Sequence, residues 1–400
     1  MWKTTPIPAL HRESGIQPAT LLLDAQRSRF AARLKSLDEA HPLARRTTTK
    51  PVIRGVKRAC QSSQGAYKTR LERTAQLVPD CPRPQLLKHV HTTTRLLQTR
   101  NKEETAARFL KWLQSHQEDL LVVYSDGSQL SSGASGYGYA VHQHNATVHE
   151  GSGRLGPAEV FDAEAVGALE GLRAAVNLPE AEHHSIVVCL DNLAASSCLL
   201  GTASDSSQQA FLSFQDISAT HGNVSVRWVP GHTNIPGNDQ ADALAKAGCE
   251  LPKPADAKPT LAHIRRMAKK RSKEAFQSWW QQNAPERYKE LNLGATADCP
   301  KELLMPRPIL HHLLAARSHH GDFADYHERF NHDTARITCS CGRRKTPSHI
   351  FYCRKVAPRH RLRLTPSAYV AIHQAIGKDC EKFTNIAKES SFFRNICPQY

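Results

Sequence analysis

The sequence of 400 residues has few aromatic side chains and little methionine: Phe, Trp and Tyr make up 6% of it, and Met occurs three times. No apolar run approaches the ~18 residues that a membrane-spanning helix requires, so we expect no membrane partner. The amino terminus has no apolar signal-peptide core. Eleven cysteines, most of them scattered, then indicate a reducing, intracellular compartment, with nucleus and cytoplasm left open.

Charge is distributed unevenly along the chain. The whole sequence has 53 basic and 37 acidic residues, a formal net charge of +16. Residues 121–250 hold 4 of the basic and 14 of the acidic residues, a net charge of −10, which leaves +26 on the flanks. An acidic segment repels a polyanion at ordinary salt. The flanks are therefore expected to supply affinity for nucleic acid.

Four carboxylates lie at or near the ends of predicted strands and helices: Asp126, Glu164, Asp191 and Asp242. Carboxylates that converge without a counter-charge repel one another, and a bound divalent metal is the usual remedy. Oxygen ligands select hard ions such as Mg²⁺ or Mn²⁺. Two such ions about 4 Å apart are a recurring device for phosphodiester cleavage.

Hydrophobic periodicity places these acids in an α/β domain. Apolar or alternating segments predict strands at residues 120–124, 136–141, 147–150, 186–190 and 223–229. Helical spacing predicts helices at residues 160–176, 193–200, 209–220 and 239–248. Early strands followed by alternating helices and strands are typical of layers around a mixed sheet.

The order Asp, Glu, Asp and then the loop G-H-x-x-x-x-G-N-[DE]-x-A-D at residues 231–242 resembles the ribonuclease H type 1 family. The resemblance covers residues 119–251 and implies a mixed five-stranded sheet with flanking helices. It implies that Asp126, Glu164, Asp191 and Asp242 bind two Mg²⁺ or Mn²⁺ ions and that His232 is an auxiliary histidine. The implied reaction is hydrolysis of the RNA strand of an RNA–DNA hybrid, with no small-molecule cofactor.

Each site residue has a plainer interpretation. Asp162 competes with Glu164 for the role at the start of the helix, and Asp239, beside Asp242, is expected to be a helix-capping acid. Asp191 could cap the helix that begins near residue 193. His232 could be a surface histidine.

Residues 1–118 form a basic, mostly helical connector, with helices predicted at residues 18–37 and 105–117. Residues 2–6 and 29–43 resemble the segment that follows the polymerase in fungal non-LTR retrotransposon polyproteins. No Tyr-x-Asp-Asp polymerase signature occurs in the sequence. The resemblance implies the C-terminal part of such a polyprotein rather than a polymerase.

Some members of the ribonuclease family carry a basic helix and loop at the position of residues 201–209, which contain no Lys or Arg here. After the domain come a Pro-rich linker at residues 252–262 and a basic helical region at residues 263–335. Its helix at residues 261–282 ends on Trp279 and Trp280. This helix is either a phosphate-binding surface with stacking aromatic ends or a solvated face whose tryptophans pack on a neighbour.

Residues 336–356 contain a Cys/His module made of Cys339, Cys341, His349 and Cys353. Three thiolates and one imidazole form a closed tetrahedral zinc set, and the segment resembles a short C-terminal module of the same retrotransposons. His327 and His332 are alternative ligands. The plain alternative is a set of reduced structural cysteines, and residues 357–400 are a C-terminal tail.

Other functions are considered beside the nuclease. The chain could be a catalytically decayed remnant that only binds nucleic acid through its basic flanks. It could also be another metal nuclease or an integrase, although the intact histidine loop disfavours that. The oligomeric state is left open.

Overall fold

The computed structural model describes residues 5–48, 69–87, 101–116, 120–295 and 300–398. Two compact units divide the chain: one is Gln26–Lys269, and the other combines Met1–Ala25 with Lys270–Tyr400. Among the described residues, every helix is too short or too polar to span a bilayer.

The described helices are α1 (Ile7–Ser14), α2 (Ala19–Lys35), α3 (Pro42–Thr48), α4 (Arg70–Ala75), α5 (Lys102–Gln114), α6 (Val160–Val176), α7 (Leu193–Leu200), α8 (Gln208–His221), α9 (Pro236–Glu250), α10 (Leu261–Asn283), α11 (Glu286–Glu290), α12 (Arg307–Ser318), α13 (Ala324–Arg329), α14 (His349–Tyr352), α15 (Ala368–Ile376) and α16 (Cys380–Glu389). The helices predicted at residues 18–37, 105–117 and 261–282 are confirmed as α2, α5 and α10, with boundaries shifted by up to three residues.

One mixed sheet of five strands organises the unit Gln26–Lys269. The strands are β1 (Leu120–Gln129), β2 (Ser135–Gln143), β3 (Ala146–Arg154), β4 (Ser185–Leu190) and β5 (Val224–Trp228). Their order is β3-β2-β1-β4-β5. β2 runs antiparallel to both β1 and β3, while β1, β4 and β5 are parallel. The predicted fold class is therefore confirmed.

Both faces of the central strand β1 are covered, which explains its unbroken apolar start. Leu121 and Val123 pack into a core with α6 and α8. Leu120, Val122 and Tyr124 face the opposite side and pack with residues of α5 and α9. Because successive strand residues point to opposite faces, a doubly covered strand is apolar at consecutive positions.

Two element boundaries differ from the prediction and change where site residues lie. β1 continues to Gln129 because β2 pairs with it along its whole length, so Asp126 lies within the strand, opposite Gly138. α9 begins at Pro236 rather than at residue 239, because proline suits the first helical position. Asp242 therefore lies beyond the first turn of α9, and only Asp239 is a first-turn acid.

The other unit is helical and has its own core, to which residues beyond 357 contribute Ile372, Ile376 and Phe383. Arg317 on α12 has no exposed surface. Its guanidinium lies 2.8 Å from Glu302 and 3.1 Å from Glu13. It also donates to the carbonyl oxygens of residues 376 and 377. This buried ion cluster joins α1, α12 and the end of α15.

Trp280 belongs to the same core. It is 5% exposed, and its indole Nε1 donates to the carbonyl of Leu293 at 2.9 Å. Of the two interpretations of this helix, Trp280 therefore follows the second, in which the tryptophans pack on a neighbour, because its ring packs inside the protein. Trp279 is half-buried and stacks on Phe276.

Candidate active site and metal centres

Three of the predicted carboxylates converge at one edge of the sheet. Asp126, Glu164 and Asp191 each offer an oxygen within 4.8 Å of the others. Asp126 lies on β1, and Asp191 directly follows β4, the parallel neighbour of β1. Glu164 lies on the first turns of α6. The helix reaches β1 closely because Gly127 has no side chain: a Cβ there would lie 2.7 Å from the Glu164 backbone nitrogen.

Asp126 and Glu164 are buried and Asp191 is half-buried, so their negative charges are costly to hold together. Burial and the neighbouring Asp191 raise the pKa of Asp126 to about 7. Burial, then the charge of Asp126, raises the pKa of Glu164 well above its usual range. Burial also raises the pKa of Asp191, which His232 partly offsets. These shifts record the cost of burying adjacent carboxylates.

One oxygen of the cluster has no protein partner. Glu164 is 2% exposed, and its Oε2 accepts no hydrogen bond within the described residues. A buried, unpaired carboxylate oxygen is unfavourable unless something else compensates it. Three carboxylates with an orphaned oxygen fit a hard divalent cation, and they are the ligand type that Mg²⁺ and Mn²⁺ prefer.

Asp162, the rival of Glu164, has a structural role. Its carboxylate accepts hydrogen bonds from the hydroxyls of Ser206 (2.6 Å), Ser207 (2.8 Å) and Thr260 (2.6 Å). It also accepts the backbone N–H of Glu159 at 2.9 Å, which caps α6. Four donors saturate this carboxylate. Asp162 therefore links the start of α6 to the later segments that contain residues 206, 207 and 260, while Glu164 joins the acidic cluster.

Asp242 lies apart from the three-carboxylate group. Its Oδ2 accepts from Lys246 Nζ at 2.7 Å, one helical turn along α9. Its charge nevertheless raises the pKa of both Asp126 and Asp191, which places it near them. Lys246 was missed in the sequence, although a Lys four residues after an Asp is a recognisable helix pair. A metal-binding role for Asp242 stays a prediction.

The predicted histidine loop contacts the cluster through Asp191. A Cβ at Gly231 would lie 2.0 Å from Asp191 Oδ2, so only glycine lets the loop approach this carboxylate. His232 follows with a positive φ of 59° and is exposed. Its charge stabilises ionised Asp191 and lowers that pKa. His232 therefore lies near Asp191, and its auxiliary role stays a prediction.

Asp191 does not cap the following helix. The cap of α7 is Asn192, whose side-chain oxygen accepts the N–H groups of residues 194 and 195. The carboxylate of Asp191 is thereby left for the cluster. A second residue missed in the sequence is Lys102, the first residue of α5, whose charge also lowers the pKa of Asp191. Lys102 carries no motif that would have identified it.

The Cys/His module is a separate candidate metal centre in the other unit. Its four ligand atoms lie within 4.8 Å of one another and all four residues are buried. Cys339 Sγ lies 3.9 Å from Cys353 Sγ, and Cys341 Sγ lies 3.4 Å from His349 Nε2. A tetrahedral zinc with Zn–S bonds of about 2.3 Å holds its sulfurs roughly 3.8 Å apart. The geometry therefore fits zinc.

The alternative zinc ligands are engaged elsewhere. The Nδ1 atoms of His327 and His332 lie 3.1 Å apart, and His327 Nε2 lies 2.9 Å from Asp322 Oδ1. Neither belongs to the four-ligand group. Cys397, placed by the sequence in the tail, interacts with the Cys339 thiol, and burial raises the pKa of Cys397 to about 12.

Comparisons with known proteins agree with this geometry. Residues 117–250 match the RNase H family model, while no curated protein matches the chain. Among solved structures, the chain is similar to RNase H1 of the archaeon Halobacterium salinarum NRC-1, with 22% identity over 32% of this chain and 96% of that one, at a TM-score of 0.28. It is similar to an N-terminal RNase H domain of Mycobacterium tuberculosis, with 22% identity over 33% and 95% of the two chains, at a TM-score of 0.30.

The prototype foamy virus protease–reverse transcriptase is a further similar structure, at 18% identity over 34% of this chain and 21% of that one, with a TM-score of 0.29. These TM-scores are low, so the family match and the carboxylate geometry carry the assignment. Residues 117–250, about a third of the chain, are therefore a ribonuclease H domain.

Proposed function

We propose that this protein hydrolyses the RNA strand of RNA–DNA hybrids and depends on divalent metal ions to do so. The observation that carries the proposal is the buried group of Asp126, Glu164 and Asp191 within the ribonuclease H domain, with one carboxylate oxygen left unpaired. Such a group is unstable as a set of free anions and is suited to cation binding.

Asp126, Glu164 and Asp191 would hold Mg²⁺ or Mn²⁺, and Asp242 would complete the site for a second ion. When bound, such ions activate water and stabilise the leaving oxygen. His232 would assist proton transfer or product release from its position beside Asp191. Selection of the hybrid would depend on 2′-hydroxyl contacts and on groove shape.

The test is cleavage of a labelled RNA–DNA hybrid in Mg²⁺ by the full chain. Asp126→Asn and Asp191→Asn should each lower the cleavage rate at least ~100-fold. Removing a residue that only hydrogen-bonds to a metal ligand already costs up to ~100-fold in activity, and removing the ligand itself should cost no less. Asp239→Asn is the matched control, since this exposed acid lies in the first turn of α9, where its side chain makes no capping hydrogen bond. Cleavage that survives both substitutions refutes the proposal. Hybrid binding without cleavage by the wild type supports the decayed remnant instead.

We further propose that the chain is the C-terminal part of a fungal non-LTR retrotransposon polyprotein. The proposal is supported by the residue patterns at positions 2–6 and 29–43 and by a nuclease domain bracketed by basic flanks. Residues 2–4 lie outside the described part of the chain. A transcript whose open reading frame encodes a polymerase upstream of residue 1 would support the proposal. A transcript whose reading frame begins at Met1 would count against it.

We also propose that Cys339, Cys341, His349 and Cys353 bind a structural zinc ion. The support is the compact, buried ligand set and the absence of a disulfide among these cysteines. Zinc there would stabilise the segment that joins α13 to α14.

A further inference from the structure

A small helical layer is built onto the ribonuclease H domain outside the residues of the family match. Ala31 and Ala32 of α2 and Leu261 and Ile264 of α10 form a core with Val78 and Cys81. Lys35 on α2 forms an ion pair with Asp80 in the same layer. The layer is therefore a folded part of the unit Gln26–Lys269 with its own apolar centre.

Specific contacts fix this layer to the domain. Thr260 donates to Asp162 on α6, and the backbone N–H of Ala262 donates to Ser206 at 3.0 Å. Arg265 forms a bidentate ion pair with Asp205. The backbone N–H of Gln85 donates to the side-chain oxygen of Gln208 on α8 at 2.7 Å. The side-chain Nε2 of Gln208 donates in return to the carbonyl oxygen of Gln85 at 3.0 Å. The layer is thus anchored to α6, the helix that carries Glu164 two residues after Asp162.

A groove of about 560 Å³ lies between α2 and α10 in this layer. Its walls include Arg29 and Arg33 of α2 and Arg265 of α10, and Phe30 lies between the first two in sequence. Arg29 and Arg33 are exposed, and Phe30 is 42% exposed. The volume is within the ~300–1,000 Å³ of pockets that hold small organic ligands, which is enough for a nucleotide.

The charge of the groove contrasts with that of the domain it is attached to. Residues 121–250 have a net charge of −10, and the neighbouring loop 201–209 has no Lys or Arg. Arg27, next to the groove residues on α2, lines a second cavity of about 290 Å³ together with Arg70 and Arg73 of α4. Within the described part of this unit, arginines of α2 therefore line two cavities.

We propose that this groove binds single-stranded nucleic acid, namely the unpaired extension of a hybrid substrate, and this rests on the proposed function. Arg29 and Arg33 would contact backbone phosphates, and the exposed ring of Phe30 would stack on a base, while Arg265 stays paired with Asp205 at the wall of the groove. A basic groove that contains an aromatic ring is the recurring arrangement for single strands, because every base has a face that can stack. A blunt duplex exposes a single terminal base-pair face, whereas each base of an unpaired extension can leave the stack and lie on the ring of Phe30.

The experiment compares binding of two labelled hybrids to the full chain by fluorescence anisotropy, in chelator so that no cleavage occurs. One hybrid is blunt, and the other carries a short single-stranded DNA extension. The wild type should bind the extended hybrid more tightly. Phe30→Ala should reduce this preference at least ~5-fold, as expected for one lost stacking contact, whereas Phe30→Trp should retain it.

The arginines are tested through the salt dependence of binding to the extended hybrid. Arg29→Gln with Arg33→Gln should lower the slope of log affinity against log salt by about 1.4, since each phosphate contact on a single strand contributes ~0.7. Arg108→Gln is a single-charge control and should leave the slope nearly unchanged, as Arg108 is exposed on α5 and pairs with Glu104. Leu23→Ala on α2 is the control for Phe30, because Leu23 is 64% exposed and does not line the groove.

The outcomes separate this inference from the proposed function. A wild type without preference for the extension, or Phe30→Ala and arginine variants that keep both preference and slope, overturns the inference. Loss of preference in those variants, with normal cleavage of the blunt hybrid in Mg²⁺, supports it. A wild type that prefers the extension but cleaves no hybrid retains the groove and removes the ribonuclease proposal.

Discussion

Replacing Asp126 with Asn should stabilise the protein when metal is absent, although it should abolish activity. Asp126 is 8% exposed, and its pKa rises from 3.8 to about 7 in the folded state. A group whose pKa is raised by folding binds more protons in the folded protein, so stability falls as pH rises from about 4 to about 7. Asn carries no charge, and it can keep the oxygen that accepts the Gly127 N–H at 2.7 Å.

The magnitude follows from the shift of about three pKa units. At 1.36 kcal/mol for each unit, the ionised carboxylate costs about 4 kcal/mol of folding free energy above pH 7. The titration of Asp126 is linked to those of Glu164 and Asp191, so the cost belongs to the group. The variant should therefore gain about 1–4 kcal/mol over the wild type at pH 8 in chelator. The gain should vanish near pH 4, where the carboxyls are protonated.

The assay is urea denaturation of the full chain, followed by tryptophan fluorescence at pH 4 and pH 8 with chelator and at pH 8 with Mg²⁺. Trp228 reports on the site, since its Nε1 donates to the carbonyl oxygen of Asp191 at 2.8 Å. Mg²⁺ should stabilise the wild type and reverse the order, because only the intact group binds it well. Asp239→Asn should behave as the wild type throughout. A less stable Asp126→Asn protein at pH 8 in chelator would refute the reasoning, as would a difference that does not depend on pH.

Three further predictions concern other parts of the molecule. Arg317→Ala should lower the free energy of unfolding by about 3 kcal/mol in urea titrations, because Glu13 and Glu302 would then share Arg12 as their remaining counter-ion in this buried cluster. The purified chain should contain one zinc per molecule by elemental analysis, and Cys341→Ser should remove most of it. Gly231→Ala should leave the fold intact but lower hybrid cleavage at least ~10-fold, because the new Cβ would turn the Asp191 carboxylate out of the cluster.

Matched variants isolate these effects. Arg363→Ala removes an exposed arginine and should change the unfolding free energy little. Cys198→Ser should leave the zinc content unchanged, since Cys198 is outside the four-ligand group. Gly294→Ala meets nothing within 4 Å and should keep full activity. A zinc-free wild type, an unaffected Gly231→Ala enzyme or an Arg317→Ala protein of normal stability would each contradict its prediction.

The sheet and the cluster could be predicted because their signals are local. The apolar run before Asp126, the strand before Asp191 and the loop at residues 231–242 are each contained in a few consecutive residues. Parallel pairing of β1 with β4 then brings Asp126 and Asp191 to one edge. Glu164 joins them because α6 packs against Gly127.

The remaining features depend on contacts between residues far apart in the chain. Asp162 could not be separated from Glu164 by pattern, since its donors Ser206, Ser207 and Thr260 come from later segments. The burial of Arg317 depends on Glu13, 304 residues earlier. No local hydrophobic periodicity predicts such partners. A charged side chain is expected at the surface unless the residue that pairs with it in the interior is known.

The position of α5 has a consequence for how the nuclease can be studied in isolation. Ala106 and Phe109 on this helix pack in one core with Val122 and Tyr124 of the central strand, yet α5 precedes the family match. A fragment that begins at residue 117 would lose this cover and present apolar side chains to water. We expect such a fragment to aggregate, and one that begins at residue 101 to keep that face of the sheet covered. The family match and the set of residues that covers the sheet therefore have different boundaries in this protein.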